Sequence, residues 1–322
     1  MEGSARDSCG GAAVTSNLTH IRSRVWFAVA ALALAAGVAV WFWQGRRVLT
    51  ASQMIEYLPP AEAVVLQIDV AALRRAGVLD LIAGSRAAEE SEYKNFVTQS
   101  GFNYREHLDT VVALIRNDQV YLLLAGRFDW KALEAYAARQ GGACANGFCR
   151  MPASTPNRTI SFFALRDRVM ALSTGPDAWG AAQMRSPSKA RPAIRSVAKP
   201  LWIYVPGSAF KSADGMPAGT RLFAQALGDA ENALIWIGPD GTKLEAQIDA
   251  SCKSEESAVI LKAQLEKVTD VLRKLILRVG EQPNPRDLSG VLTQGTFRRE
   301  GRRVIGRWPI ERAFLDSLAG GS

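Results

Sequence analysis

Histidine is scarce in this chain. His20 and His107 are the only two among 322 residues, and neither lies near any of the four cysteines, Cys9, Cys144, Cys149 and Cys252. A structural zinc site needs about four clustered Cys or His ligands, so no metal centre is expected. Convergent catalytic motifs are missing as well. Ser208-Ala209-Phe210-Lys211 has the S-x-x-K spacing in which one helical turn brings a lysine amine to a serine hydroxyl. The S-x-N and K-T-G companions of acyl enzymes are absent, and helix capping by Ser208 accounts for the same tetrad. Gly238 to Lys243 (GPDGTK) has the wrong spacing for a phosphate loop and leads into a strand, so no helix N-terminus would face a phosphate. His107, between Glu106 and Asp109, has no candidate serine or cysteine nucleophile beside it. No cofactor is expected.

Charge is not scarce, but it is dispersed. The chain carries 39 basic and 31 acidic residues, a net +8, with 48% hydrophobic and 22% charged residues. That composition is ordinary for a folded protein. A basic excess suits an anionic surface, yet here it is spread along the sequence. The one concentration is Arg298, Arg299, Arg302, Arg303 and Arg307 on a terminal hairpin. These arginines either attract anionic lipid headgroups or an acidic partner, or blunt an exposed edge strand against aggregation. Only Phe297 and Trp308 flank them, too few aromatics for stacked bases, and no nucleic-acid role is expected.

What the sequence does have is a long apolar run, Val25 to Trp43, without charge or proline. It approaches the ~20 apolar residues that span a bilayer and would rise about 28 Å as a helix. Trp26 stands near one end and Trp41 and Trp43 at the other, with Arg46 and Arg47 just beyond. Such residues favour the membrane interfaces. The run exceeds the ~7–15 residues of a cleaved signal core and ends in a poor cleavage context. Residues 22–47 therefore read as a transmembrane signal anchor after a disordered tail, 1–21. A short tail and a large following domain predict a cytoplasmic N-terminus and an extracytoplasmic C-terminal domain, single-pass in a bacterial inner membrane.

The cysteines agree with that side. In Ala143-Cys144-Ala145-Asn146-Gly147-Phe148-Cys149, the Asn-Gly pair is a strong hairpin signal, because a type I′ turn needs positive φ at both central positions. In that register Cys144 faces Cys149 as a non-hydrogen-bonded pair, close enough for a disulfide. The alternative is two reduced thiols on a loop. Cys252 reads as a small buried hydrophobe.

In chain order, Leu49 to Leu58 can continue as helix until Pro59-Pro60 stops it, making 48–62 a short stalk. Residues 63–185 form a first unit: a strand from Ala63, a helix capped by Asp69, a helix over 89–99, a hairpin about 117–118, a helix capped by Asp129, the cysteine hairpin, and a further strand pair. Residues 186–200, with three prolines, read as a linker, and 201–320 repeat the order with a long helix from Ser254. On that helix Leu261, Leu265, Val268, Leu272, Leu275 and Val279 step by four and three, a seam for a partner helix or for a sheet. The expected fold class is α+β: an N-terminal transmembrane helix, then two tandem units, each an antiparallel sheet with helices on one face.

Three stretches carry a resemblance: Ala63 to Asp69 with its following helix, GFNYREHLDTVV at 101–112, and LLLAGRFDW at 122–130. They resemble a family of uncharacterised bacterial proteins with a single N-terminal span and a duplicated α+β envelope domain. The shared pattern is G-F, then R-x-x-L-D-x-V-V, then a strand ending G-R-F-D. Glu106-His107 before Leu108-Asp109 departs from it. The resemblance implies architecture and no activity. The predicted function is binding or scaffolding without catalysis, with the lipid bilayer and an envelope protein as partners. A serine hydrolase or acyl-transfer enzyme using Ser208 and Lys211 is the alternative, and an anionic-surface binder using the 298–307 hairpin is a third.

Overall fold

The computed structural model describes residues 49–79, 91–116, 118–188, 194, 197–211, 218–240, 243–278, 280 and 282–320. The expected anchor, with Trp26, Trp41, Trp43, Arg46 and Arg47, lies outside them. Among the described residues no helix is long and apolar enough to cross a membrane.

Helix α1 (Ala51–Tyr57) opens the described chain behind a capping box in which Thr50 and Gln53 each satisfy the other's backbone N–H. Strand β1 (Val64–Asp69) follows, then α2 (Val70–Arg75), capped by Asp69, and α3 (Ser91–Ser100). The one-turn α4 (Tyr104–His107) leads into the hairpin β2 (Leu108–Arg116) and β3 (Gln119–Gly126). Helix α5 (Trp130–Arg139), β4 (Ala143–Ala145), β5 (Phe148–Pro152), β6 (Thr159–Arg166), β7 (Val169–Gly175) and a 3-10 turn (Gly180–Met184) complete the first half. The second half holds β8 (Leu201–Pro206), α6 (Gly207–Phe210), α7 (Ala218–Leu227), β9 (Asn232–Asp240), β10 (Lys243–Ser251), α8 (Glu255–Arg278), α9 (Leu288–Leu292), β11 (Thr296–Glu300), β12 (Arg303–Ile310) and α10 (Arg312–Gly320).

The class is α+β, but the expected division into two sheets is corrected. Among the described residues, twelve strands form one antiparallel sheet, ordered β11-β12-β10-β9-β8-β1-β2-β3-β7-β6-β5-β4. Strand β1 pairs directly with β8, Val65 opposite Tyr204 through Ile68 opposite Leu201. The Asp69 N–H extends the pairing by donating to Pro200 O at 2.7 Å. The physical reason is edge chemistry: β1 and β8 each offer a row of unpaired backbone groups, and joining them closes two edges at once.

A second correction concerns the faces. Helices cover both sides of the sheet. One face carries Val65, Val112, Leu114, Leu123 and Trp202, packed under α1 and the 3-10 turn. Met54 and Leu58, in the segment read as a stalk, have no exposed surface there. The other face carries Leu124, Phe162 and Met170 in the first half and Ile203, Ile235, Ile248 and Val304 in the second. Helix α5 packs on it in the first half, and α7 and α8 in the second. Strand alternation sorts these residues between two faces, and both faces are largely apolar, so each needs a cover.

Candidate functional site

Two of the stretches that carry the resemblance meet in space. Gly101, Phe102 and His107, from the turn before β2, join Arg127, Phe128, Asp129, Trp130 and Lys131, from the turn after β3, around a cleft of about 700 Å³. Antiparallel pairing brings them together: Leu108 at the start of β2 lies opposite Gly126 at the end of β3. Helix α4 docks on that end. The Arg127 N–H donates to His107 O at 2.8 Å and the Arg127 guanidinium to Glu106 O at 2.6 Å. A Cβ on Gly126 would run into the His107 carbonyl oxygen, so glycine permits the approach.

The other motif residues hold this corner. Asn103 caps α4, its Oδ1 accepting from the Arg105 N–H at 3.0 Å and from the Tyr93 hydroxyl at 3.1 Å. Burial pushes the Tyr93 hydroxyl above its ordinary pKa, so it remains a donor. Asp109 sits at a β-bulge between Leu108 and Thr110. Its carboxylate meets Arg168 at 2.9 Å and Arg74 at 3.7 Å, tying β2 to the turn before β7 and to α2. Asp129 caps α5 by accepting from the Ala132 N–H at 3.1 Å. The Trp130 indole donates to Asp167 O at 3.2 Å.

Beneath the cleft lies a second, smaller cavity of about 200 Å³, lined wholly by apolar and aromatic side chains from α3, α5 and strands β3, β5, β6 and β7. Phe102 and Phe128 belong to both linings, stacked 5.2 Å apart with rings 13° from parallel. Phe96 meets Phe102 and Tyr136 edge-on. Sequence reading identified the motif but not the cavity, whose walls come from separated elements.

No family model and no curated protein matches the chain. Among solved structures it is similar to crystal form I of TP0453, at 10% identity and TM-score 0.49, over 84% of this chain and 96% of that one. Crystal form III of TP0453 is similar at 10% identity and TM-score 0.44, over 84% and 98% of the two chains.

His107 Nδ1 accepts from the Asn103 N–H at 3.1 Å, which leaves the ring proton on Nε2 when the imidazole is neutral. The one hydroxyl in the lining, Ser100, donates to Phe96 O and accepts from the Phe102 N–H, so it serves the backbone at the end of α3. Among the described residues no three His, Cys, Asp or Glu are grouped to hold a metal ion.

The other candidate residues fall elsewhere. Cys144 and Cys149 face each other across β4 and β5 and are bridged, with Cα atoms 4.0 Å apart. Asn146 and Gly147 both have positive φ, as a type I′ turn requires. Cys252 is buried, which pushes its thiol pKa up. Ser208 donates to Glu62 Oε1 at 2.9 Å rather than toward Lys211. Of the five hairpin arginines, four are engaged by carboxylates: Arg298 with Glu300, Arg299 with Glu255, Arg303 with Asp249, and Arg307 with Glu245. Along α8, Leu261 and Leu265 are buried against the sheet and Leu275 is exposed, while Val279 lies outside the described residues.

Proposed function

We propose that the chain is a non-enzymatic binding protein of the bacterial envelope and that it takes the apolar part of a ligand into the cavity beneath the 101–107 and 127–131 turns. The observation that carries this reading is the pairing of an open cleft with a wholly apolar cavity, joined through Phe102 and Phe128. Apolar walls with a few polar groups at the mouth are the usual composition of a small-molecule site. An apolar cavity stays dry and binds whatever apolar group can fill it. Among the described residues the cleft offers no hydroxyl free to act as nucleophile beside His107, which favours binding over catalysis. The Cys144–Cys149 bridge favours the oxidising side of the membrane, where disulfides persist.

Two measurements on the full-length chain test this. Solvent extraction of the purified protein, read by mass spectrometry, should release an apolar ligand that Ile160→Trp, which fills the cavity, no longer carries. Thiol labelling in intact cells should reach Cys144 and Cys149 only after reductant. A protein without extractable ligand, together with thiols that label without reductant, refutes the reading.

A further inference from the structure

We infer that the ligand of this site is a single-chain anionic amphiphile, its chain in the apolar cavity and its acidic head between Arg127 and Lys131. The inference rests on the binding reading above and names the ligand class.

Charge is the first argument. Arg74, Arg168, Arg298, Arg299, Arg303 and Arg307 all lie against carboxylates. The two cations of the cleft do not. Arg127 spends one hydrogen bond on a carbonyl and makes no ion pair among the described residues, and the exposed Lys131 has no side-chain partner among them. The carboxylate in the same lining, Asp129, is committed to the first turn of α5. The lining therefore holds two cations against one carboxylate, an excess of positive charge, and an anionic oxygen is what a guanidinium and an ammonium recognise together.

Shape is the second. At about 200 Å³ the inner cavity is smaller than the ~300–1,000 Å³ of sites that enclose a whole drug-sized molecule. It holds a slender apolar segment, and the rest of the ligand must lie in the cleft. The stacked rings of Phe102 and Phe128 belong to both linings, so a ligand that displaced them would reach from one space into the other. Inner wall residues such as Leu124, Met151, Ile160 and Leu172 offer only hydrocarbon and thioether surface, which suits methylenes.

The test uses the full-length chain and dodecanoate carrying a diazirine at its methyl end. After irradiation, peptide mass spectrometry should find the label on inner-wall residues such as Met151, Ile160 and Phe162. Unlabelled dodecanoate and dodecyl phosphate should both compete, distinguishing a carboxylate from a phosphate head by their relative strength. Dodecan-1-ol and dodecyltrimethylammonium should compete about fivefold less well, and Lys131→Glu should lower labelling about fivefold without shifting thermal unfolding. Each methylene from octanoate upward should tighten competition about fourfold until the cavity is full. If the alcohol or the ammonium competes as well as dodecanoate, the anionic assignment fails while the binding site stands. Label spread outside the lining, or unchanged by Ile160→Trp, overturns the site as well. Should Ile160→Trp not fold, the map of labelled residues decides the same point.

Discussion

The two halves of the sheet differ in length and in how they are covered. Counted outward from the β1–β8 joint, one half runs β1-β2-β3-β7-β6-β5-β4 and the other β8-β9-β10-β12-β11, so the first half carries the β4–β5 hairpin beyond the five positions the second half fills. Over the second half the 24-residue α8 lies along the sheet beside α7, with Leu261 and Leu265 buried, and Phe223 of α7 meets Trp308 edge-on at 5.8 Å. Over the first half the cover is two 10-residue helices, α3 and α5, and their aromatic side chains bridge to the sheet around a cavity. One long helix can follow a sheet and fill its grooves with aliphatic knobs. Over the first half, aromatic rings from α3, α5 and the turns, some stacked and some edge-on, leave space that branched side chains would occupy. The lesson is that one continuous sheet can carry a filled aliphatic cover on one half and a cover with a cavity on the other.

That contrast can be broken from the filled side first. Leu265→Ala should cost about 2–5 kcal/mol in denaturant unfolding, since the fully buried side chain leaves a hole that its neighbours only partly close. Labelling of the first-half cavity by the probe should be retained wherever the variant stays folded. Gly126→Ala attacks the open half. The new Cβ meets the His107 carbonyl and forces α4 off β3, so a loss toward the upper end of ~1–3 kcal/mol is expected, with probe binding falling in step. A variant that binds normally would show that the cleft does not depend on this contact.

Cys144→Ser should cost about 2 kcal/mol, the closure entropy of so short a loop. Cys149 packs beside Leu133, Phe162 and Met170, so reduction should also weaken the cavity wall, measured as faster hydrogen exchange in β5 and β6 but not in β9 and β10. The smallest effect is expected at Asp287, which caps α9 by accepting from Ser289. That hydrogen bonding holds its carboxyl below the usual aspartate value. The folded pKa lies below the unfolded one, so the cap's contribution is full above about pH 4 and is lost as pH falls through the lower folded value. Asp287→Ala should cost about 1 kcal/mol at neutral pH, and the gap from the parent should narrow in acid, measured by unfolding at a series of pH values.

Local chemistry was the legible part. Asp69 and Asp129 were readable as helix caps because a side-chain oxygen satisfies a backbone N–H within three residues. The Asn146-Gly147 turn and the register that sets Cys144 against Cys149 were readable for a similar reason, since few residues accept positive φ. The short α9 was missed because five residues hold too little periodicity to register. The candidate site was half legible: GFNYREHLDTVV and LLLAGRFDW marked its two turns, and nothing in either stretch announced the cavity below them.

By itself, then, the sequence determined the α+β class, most caps and hairpins, and the disulfide, all decided by residues a few positions apart through φ/ψ limits and nearby hydrogen bonds. Only the tertiary structure decided that β1 and β8 join two halves into one sheet and that helices cover both of its faces. Strand edges present the same row of N–H and C=O groups whatever their side chains, so edge pairing carries little signal along the chain. A cavity, likewise, is a property of how rings from separate elements fail to fill the space between them.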